Sequence, residues 1–420
     1  MIKNNYLNKI LKSLPFGEVG GASMNYILFD DNSRNKLLPL TFTRPVADIR
    51  IGILTIREKW EKMLNARTSS QTQSYLSKKF PLELAIDTDN SWINGSVCPN
   101  HKLVEEIISL QPNQALLSSN IVIAANTGND KNFDFGVLDS FTKFESHAKA
   151  LRIENPWDIF TKNEEAIIAD YKLLTTDRKS LALSQTNQVI GVENIFVEEG
   201  AKVECAILNA STGPIYIGKE TEIMEGSIIR GPFALCDHST LKIGAKIYGP
   251  TTVGPHCKVG GEVNNSVIFG YTNKAHDGFL GNSVLGEWCN IGADTNNSNL
   301  KNNYSEVRLW NYEEEDFVNT GLIFCGLFMG DHSKCGINTM FNTGTLVGVN
   351  ASVFGSGFPE NYIPSFSWGG STGFTSYKIK EALEVAVRVF ERRGLVFDEI
   401  EKEILTHIYE LTDKNKNIQK

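Results

Sequence analysis

Residues 217–259 read IGKETEIMEGSIIRGPFALCDHSTLKIGAKIYGPTTVGPHCKV, and an aliphatic side chain returns at every sixth position. The series runs Ile217, Ile223, Ile229, Leu235, Leu241, Ile247, Val253, Val259. A period of six is neither the helical period nor simple strand alternation. It is the signature of a parallel β-helix, in which each hexad is one short strand plus its corner. The fourth residue after each aliphatic is small at Thr221, Ser227, Ser239, Ala245, Thr251 and Cys257, as an inward-facing corner requires; Phe233 and Val263 are the bulky exceptions. The register breaks after Val259, then returns at Leu285 and Ile291 and again at Met329, Cys335, Phe341, Val347 and Val353.

Working outward, the β-helix is expected over 189–358, with residues 297–319, rich in charge at 313–316, thrown out as a loop or hairpin. Pro359, Pro364 and the pair Gly369, Gly370 are expected to end the coil. Two amphipathic helices, over 377–393 and 397–411, are expected to cap its open end, since a bare end exposes core and strand edges. The region 359–420 is thus a helical cap and tail. Ahead of the coil, residues 24–188 alternate strand and helix signals, which reads as an α/β domain. Strands are expected near 26–29, 82–86, 91–94 and 115–125, helices near 54–64, 102–110 and 164–174, and a polar linker over 176–190. Residues 1–23 read as a poorly ordered arm or an extended start upstream of Met24.

The net charge of −8 disfavours nonspecific binding to nucleic acid or membranes. The seven cysteines include no C-x-x-C pair, and five of them (Cys205, Cys236, Cys257, Cys289, Cys335) fall in the repeat as small apolar residues. That pattern fits a reducing cytoplasm and no zinc site. No run of about eighteen apolar residues is present, so no transmembrane helix is expected.

The densest chemistry lies at the break in the repeat: NKAHDGFLG at 273–281, then EWCNIGADT at 287–295. A break in a repeat is where a binding site can open. An imidazole titrates near neutrality, so a histidine such as His276 is the residue type that can take a proton from an attacking amine or hydroxyl. Lys274 can hold a phosphate as a point charge.

These runs resemble the acetyltransferase half of the bifunctional glucosamine-1-phosphate acetyltransferase/N-acetylglucosamine-1-phosphate uridylyltransferases, whose motif is K-A-x-H-L-x-Y-L-G followed by V-N-I-G-A-G-T. The stretch GDHSKCGIN at 330–338 resembles the G-D-x-x-K-T-G-I-N of related sugar-phosphate transferases. The resemblance covers roughly 191–355. It implies a left-handed coil, a homotrimer with active sites between subunits, and acetyl-CoA as acyl donor. It gives His276 the role of general base, Asn290 a contact to the sugar or the acyl carbonyl, Glu262 a part in holding the sugar, and Lys334 a place near phosphate. Backbone at Ala293 would meet the thioester end of coenzyme A. Phe279 stands where the family has tyrosine, Asn264 and Asn265 where phosphate-binding lysine is expected, and Asp294 where it has glycine.

The N-terminal domain resembles the sugar-1-phosphate nucleotidylyltransferases. The match is Ser33-Arg34, Pro39-Leu40-Thr41, Thr43-Arg44-Pro45 and Ile93-Asn94-Gly95-Ser96. It implies nucleotide contacts from Arg34, Thr41, Arg44, Asn94 and Gly95, with Mg²⁺ as a possible cofactor. Asp30, Asp31 and Asn32 occupy the family's glycine-rich loop, where carboxylates repel phosphate. Ser96 replaces the metal-binding aspartate, and serine is a far poorer Mg²⁺ ligand; Asp30 or Asp31 is the alternative ligand. The run LPLTFTRPVADIRIGILTIREKW at 38–60 resembles a divergent bacterial group of such bifunctional enzymes, described as glucose-1-phosphate thymidylyltransferases.

The sequence therefore reads as a cytoplasmic transferase of sugar-nucleotide biosynthesis serving the cell envelope. Its partners would be a sugar phosphate and a nucleoside triphosphate or nucleotide sugar. Two alternatives stand beside it: a non-catalytic sugar-nucleotide-binding trimeric scaffold, and a zinc β-helix using His238, His256 and His332 from one hexad phase, with His276.

Overall fold

The hexads stack into a three-faced parallel solenoid. A computed structural model describes residues 24–85, 87–129 and 135–413; the arm expected over 1–23 lies outside them. The first face is a nine-stranded parallel sheet from Ile195–Val197 to Tyr362–Ile363. The second carries the strands Lys202–Val203 through Asn273–Lys274 and, across a bridge at Asn290, Lys334–Cys335 to Ser367–Gly370. The third holds Gln188–Ile190 through Phe279–Gly281. The hexad aliphatics form the inner columns: Ile223, Leu241 and Val259 stack on the second face, Ile229, Ile247 and Val263 on the third, all at 0–1% exposure. The small corner residues Thr221, Ser227, Ser239, Ala245, Thr251 and Cys257 are equally buried. The bulky exceptions Phe233 and Val263 also point inward.

The coil runs one turn beyond its expected end. Tyr362–Ile363 pairs with Leu346–Val347, and Ser367–Gly370 adds to the second face before a hairpin with Gly373–Ser376. The prolines at 359 and 364 flank this strand rather than occupy it, so no ladder hydrogen bond is lost. The excursion is an antiparallel hairpin, Arg308–Asn311 with Asp316–Asn319. It folds back on the first face, where Trp310 stacks on Tyr362 at 4.1 Å.

In the N-terminal domain, Asn25–Phe29 lies parallel between Thr68–Gln71 and Asn90–Asn94 in a six-stranded sheet. Ile121–Asn126, Gln114–Ser118 and Thr142–Glu145 complete it. The helix Ile56–Leu64 starts at a capping box between Thr55 and Glu58. The strand expected at 82–86 does not form over 82–85, where the Glu83 carbonyl is taken by the Asn25 side chain; Ile86 lies outside the described residues.

This domain covers the first face of the coil. The outward column there is Phe196, Tyr216, Ala234, Thr252, Val267, Val284, Phe328, Leu346 and Tyr362, each at most 8% exposed. Val267, Val284, Phe328 and Leu346 share one core with Tyr26, Leu28, Ile49, Trp60 and Phe160. Each large side chain so buried contributes roughly 1.5–3 kcal/mol. Polar groups register the contact: the Asn163 amide donates to Pro250 O at 3.0 Å and accepts from Gly52 N at 2.8 Å.

The C-terminal helices, Ile379–Glu391 and Glu399–Asp413, run along an edge of the solenoid instead of across its end. Tyr377 packs on Trp368, and Arg393 reaches Asn273, four coils earlier. Thirteen helical residues span about 20 Å, which matches four interstrand steps of about 4.8 Å. The edge they run along, between the first and second faces, is a column of left-handed residues, His238, His256, Tyr271, Trp288 and His332, with φ of 59–62°, of which His238 stays exposed. Their rings stack in sequence at 4.8, 4.6, 4.2 and 6.2 Å, and Phe390 stacks on Trp288 at 4.0 Å. Stacking and burial offset the cost of positive φ at residues with a Cβ. The three in-phase histidines thus share one edge, but as stacked rings. Among the described residues no group of three or more His, Cys, Asp or Glu could hold a metal ion, and no helix is long and apolar enough to cross a membrane.

Burial, with the nearby charges of His238 and Arg393, pushes the His256 imidazole down to about 4. Its folded pKa lies below the unfolded value of about 6.5, so between those values the unfolded chain binds the extra proton. Stability should therefore fall as pH drops from about 6.5 toward 4. Urea midpoints at pH 7.5 and 4.5 should differ less in His256→Asn than in the wild type; an equal difference would contradict this.

Candidate functional site

The break in the repeat is a shortened corner. Leu241 pairs with Val259, eighteen residues on, whereas Val259 pairs with Lys274, fifteen on. Inward residues flank each corner between the second and third faces. Six positions separate Leu241 from Ile247 and Lys274 from Leu280, but only four separate Val259 from Val263. The chain crosses there on Gly260 and Gly261 alone. A Cβ on Gly261 would come within 2.8 Å of Asp277 Cα and His276 O, so glycine is required by close approach. Beside this cut corner the next coil carries His276 and Asp277, both exposed, followed by Gly278.

Glu262 follows the cut directly, in register with Phe279, and accepts from Tyr248 Oη at 2.5 Å. The Phe279 ring lies over Gly281, where an added Cβ would meet it at 2.5 Å. Asn290 is exposed on the second face, bridged between Asn273 and Lys334. Ala293 lies on the corner one coil beyond His276, its carbonyl accepting from Asn338 N at 2.8 Å. Two departures from the family pattern have a backbone cause. Asp294 has φ 55° and Asn265 φ 45°, left-handed corner positions that Asn and Asp tolerate better than other residues.

The shortened coil also puts a lysine into an aliphatic slot. Lys274 occupies the inner column of Val259 and Cys335 and is 1% exposed. Its ammonium donates to the carbonyl of His276, so it ties the corner from inside. Burial pushes its pKa down to about 8, with Asp277, Cys335 and Asp294 offsetting only part of that. Lys334 turns away from this edge: its ammonium donates to His332 O at 2.8 Å, on the stacked-ring edge, and burial lowers it to about 8. The structure therefore gathers His276, Glu262, Ala293 and buried Lys274 around one corner, places Asn290 on the adjoining face, and sets Lys334 apart.

In the N-terminal domain the two arginines turn inward. Arg34 bonds Asp30 Oδ2 at 3.1 Å, Arg44 O at 3.0 Å and Tyr75 Oη at 3.1 Å, and the Thr41 hydroxyl donates back to Arg34 O at 2.7 Å. Arg44 is 6% exposed and pairs with Asp331 of the solenoid, over the Phe269 ring. Asp30 is consumed by Val46 N at 2.8 Å, Thr72 Oγ1 at 2.5 Å and Arg34, and burial raises its pKa.

Asn94, Gly95 and Ser96 form the turn after the central strand. Gly95 donates to Phe29 O at 2.8 Å and packs against Ala47. Asn94 donates to Asp31 Oδ2 at 2.9 Å and accepts the Ser96 hydroxyl at 2.7 Å. Beside them stand residues that sequence reasoning missed: Arg152, Glu154 and Lys36. Arg152 Nη2 bonds Asp31 Oδ2 at 2.9 Å, and its Nε donates to Ser96 Oγ at 3.1 Å. Burial pushes the Asp31 carboxyl up, but hydrogen bonds from Ser33 and Asn94 and the Arg152 charge outweigh it and hold the group below its usual range. These residues do not fit Mg²⁺: the hydroxyl at 96 and the carboxylate at 31 both already serve a guanidinium.

Residues 26–179 match the sugar nucleotidyl transferase family. A search of curated proteins finds no match. Among solved structures the chain is similar to an Arabidopsis UDP-N-acetylglucosamine acyltransferase, at 15% identity over 51% of this chain and 78% of that one, with a TM-score of 0.22. A mutant of AntD, an N-acyltransferase from Bacillus cereus in complex with dTDP and coenzyme A, is similar at 10% identity over 49% and 91%, TM-score 0.22. A Francisella novicida UDP-N-acetylglucosamine acyltransferase is similar at 14% identity over 57% and 87%, TM-score 0.25.

Proposed function

We propose that this chain is a sugar-nucleotide transferase whose solenoid transfers an acyl group from acetyl-CoA to an amino or hydroxyl group of a sugar phosphate, while the N-terminal domain holds the nucleotide. The observation that carries this reading is the cut corner at Gly260 and Gly261, which packs against the backbone of the next coil where exposed His276 stands, with Glu262 directly after the cut. His276 takes the proton of the acceptor as its nitrogen or oxygen attacks the thioester carbonyl. The C–S bond then breaks, and the imidazolium returns that proton to the departing thiolate. Lys274 holds the corner from within. The match of residues 26–179 to the sugar nucleotidyl transferases supports the nucleotide half. Incubation with acetyl-CoA and a panel of sugar phosphates and nucleotide sugars carrying free amino or hydroxyl groups should release free thiol only when an acceptor is present; acceptor-independent release, or no release with any of the panel, would count against the reading.

The site is completed, in this reading, by a second copy in a homotrimer. The N-terminal domain covers the first face and the helices run along one edge, but among the described residues none is seen to cover the edge where His276 and Asp277 are exposed. It also carries Ile243 at 72%, Ile337 at 71% and Phe354 at 41% exposure, above and below the histidine. Apolar side chains exposed along one edge favour contact with another subunit. Light scattering at micromolar concentration should give three times the chain mass; a monomer would remove the shared site.

A further inference from the structure

Two cations close on the two oxygens of one carboxylate in the N-terminal domain. Lys36 Nζ lies 3.0 Å from Glu154 Oε1, and Arg152 Nη1 lies 3.2 Å from Glu154 Oε2. The Glu154 side chain is 41% exposed, while Arg152 behind it is 18% exposed. An ammonium and a guanidinium converging on one pair of oxygens is the arrangement that also recognises two oxygens of a phosphate. Arg152 is fixed from the rear by Asp31 and Ser96, so the fork is already in place before any ligand arrives. Its guanidinium also fills the space between residues 31 and 96, where a divalent ion would have to stand to be reached by both.

The local charges are Lys36, Arg152 and Lys162 against Asp31, Glu154 and Asp158, which cancel. Asp31 is buried to 12% exposure and is held by three donor residues. Glu154 is the outer, solvent-facing member and the one a ligand can displace by rotating a single side chain. We infer that Lys36 and Arg152 form a metal-independent site for the diphosphate of a nucleotide, and that Glu154 occupies it as an internal stand-in until the ligand arrives. Arg152 thereby supplies the positive charge that a metal ion would otherwise bring. This rests on the reading that the N-terminal domain holds a nucleotide.

The test is equilibrium binding of dTDP and of UDP to the full-length protein, in EDTA and in excess MgCl₂, by titration calorimetry. Wild-type affinity should be the same within about twofold in both buffers. Glu154→Gln, which removes the competing charge, should bind about tenfold tighter, and Arg152→Met and Lys36→Met about tenfold or more weaker, the scale of one charge-assisted hydrogen bond. Arg152→Lys, which keeps the charge and loses the fork, should also weaken binding and serves if Arg152→Met does not fold. Binding that appears only with Mg²⁺, or a Glu154→Gln protein no tighter than wild type, would overturn the inference while leaving the nucleotide reading intact. No binding of either diphosphate by wild type and Glu154→Gln, in either buffer, would overturn both.

Discussion

His276→Ala should lower kcat for acyl transfer by about 10²–10⁴-fold, the usual worth of a positioned general base. The melting temperature should hardly move, because the imidazole is exposed and the corner is held by backbone and by Lys274. The two readouts separate chemistry from folding. A merely structural histidine would lose stability and rate together; a bystander would lose neither. Steady-state thiol release with saturating acetyl-CoA, alongside a thermal melt, decides between them. An unchanged kcat would remove His276 from the chemistry.

Asp331→Ala should destabilise the protein by about 3–5 kcal/mol, the cost of breaking a buried ion pair from one side. Asp331 is 2% exposed and accepts from Thr43 Oγ1 at 2.7 Å, from Arg44, and from Glu287 N at 2.9 Å. Without it Arg44 keeps Glu287, at 3.4 Å and 34% exposed, and a 3.4 Å hydrogen bond to Thr43 Oγ1, while remaining buried above Phe269. Burial disfavours the guanidinium charge, and it is Asp331 first and Glu287 second that hold it on. Urea denaturation should show a lower midpoint, and because this pair joins the two domains, both should lose structure earlier. The double variant Arg44→Met/Asp331→Leu should recover much of the loss, since it leaves no unpaired charge. A loss below about 1 kcal/mol would mean that this ion pair contributes little to the interdomain contact.

The inner surface of the solenoid was legible because it is dictated locally: one aliphatic per hexad and a small residue at each corner suffice, and both recur in Leu241, Ile247, Val253 and Val259. The outer surface was harder to read. The middle residues of IYI at 215–217, FAL at 233–235 and LFM at 327–329 are apolar because a second domain lies on them, and that partner is distant in sequence. Three consecutive apolar residues in IFV at 195–197, IYI, FAL and LFM were the available signal. The helices were expected across the end of the coil because an open end needs cover. The stacked rings of Tyr271, Trp288 and His332 needed it more, and only the left-handed φ of those corners makes them a continuous surface.

The candidate sites divide in the same way. His276 was legible as a titratable residue at a break in the repeat, yet the cause of the break, a corner of two glycines, becomes visible only once Val259 is paired with Lys274. Lys274 was expected to hold a phosphate, but it is 1% exposed, and its inward position follows from the fifteen-residue coil. Arg34 and Arg44 carried the motif and turned out buried in ion pairs. Arg152, Glu154 and Lys36 belong to no motif, and their meeting depends on residues 118 positions apart in the chain.

Hydrogen exchange of the full-length protein with and without coenzyme A tests the placement of the acyl chemistry most directly. The account predicts that coenzyme A slows exchange over 273–281, which holds the His276 corner, and over 290–298, the next coil. Protection confined to the N-terminal sheet or to the hairpin 308–319, with the His276 corner unchanged, would contradict it.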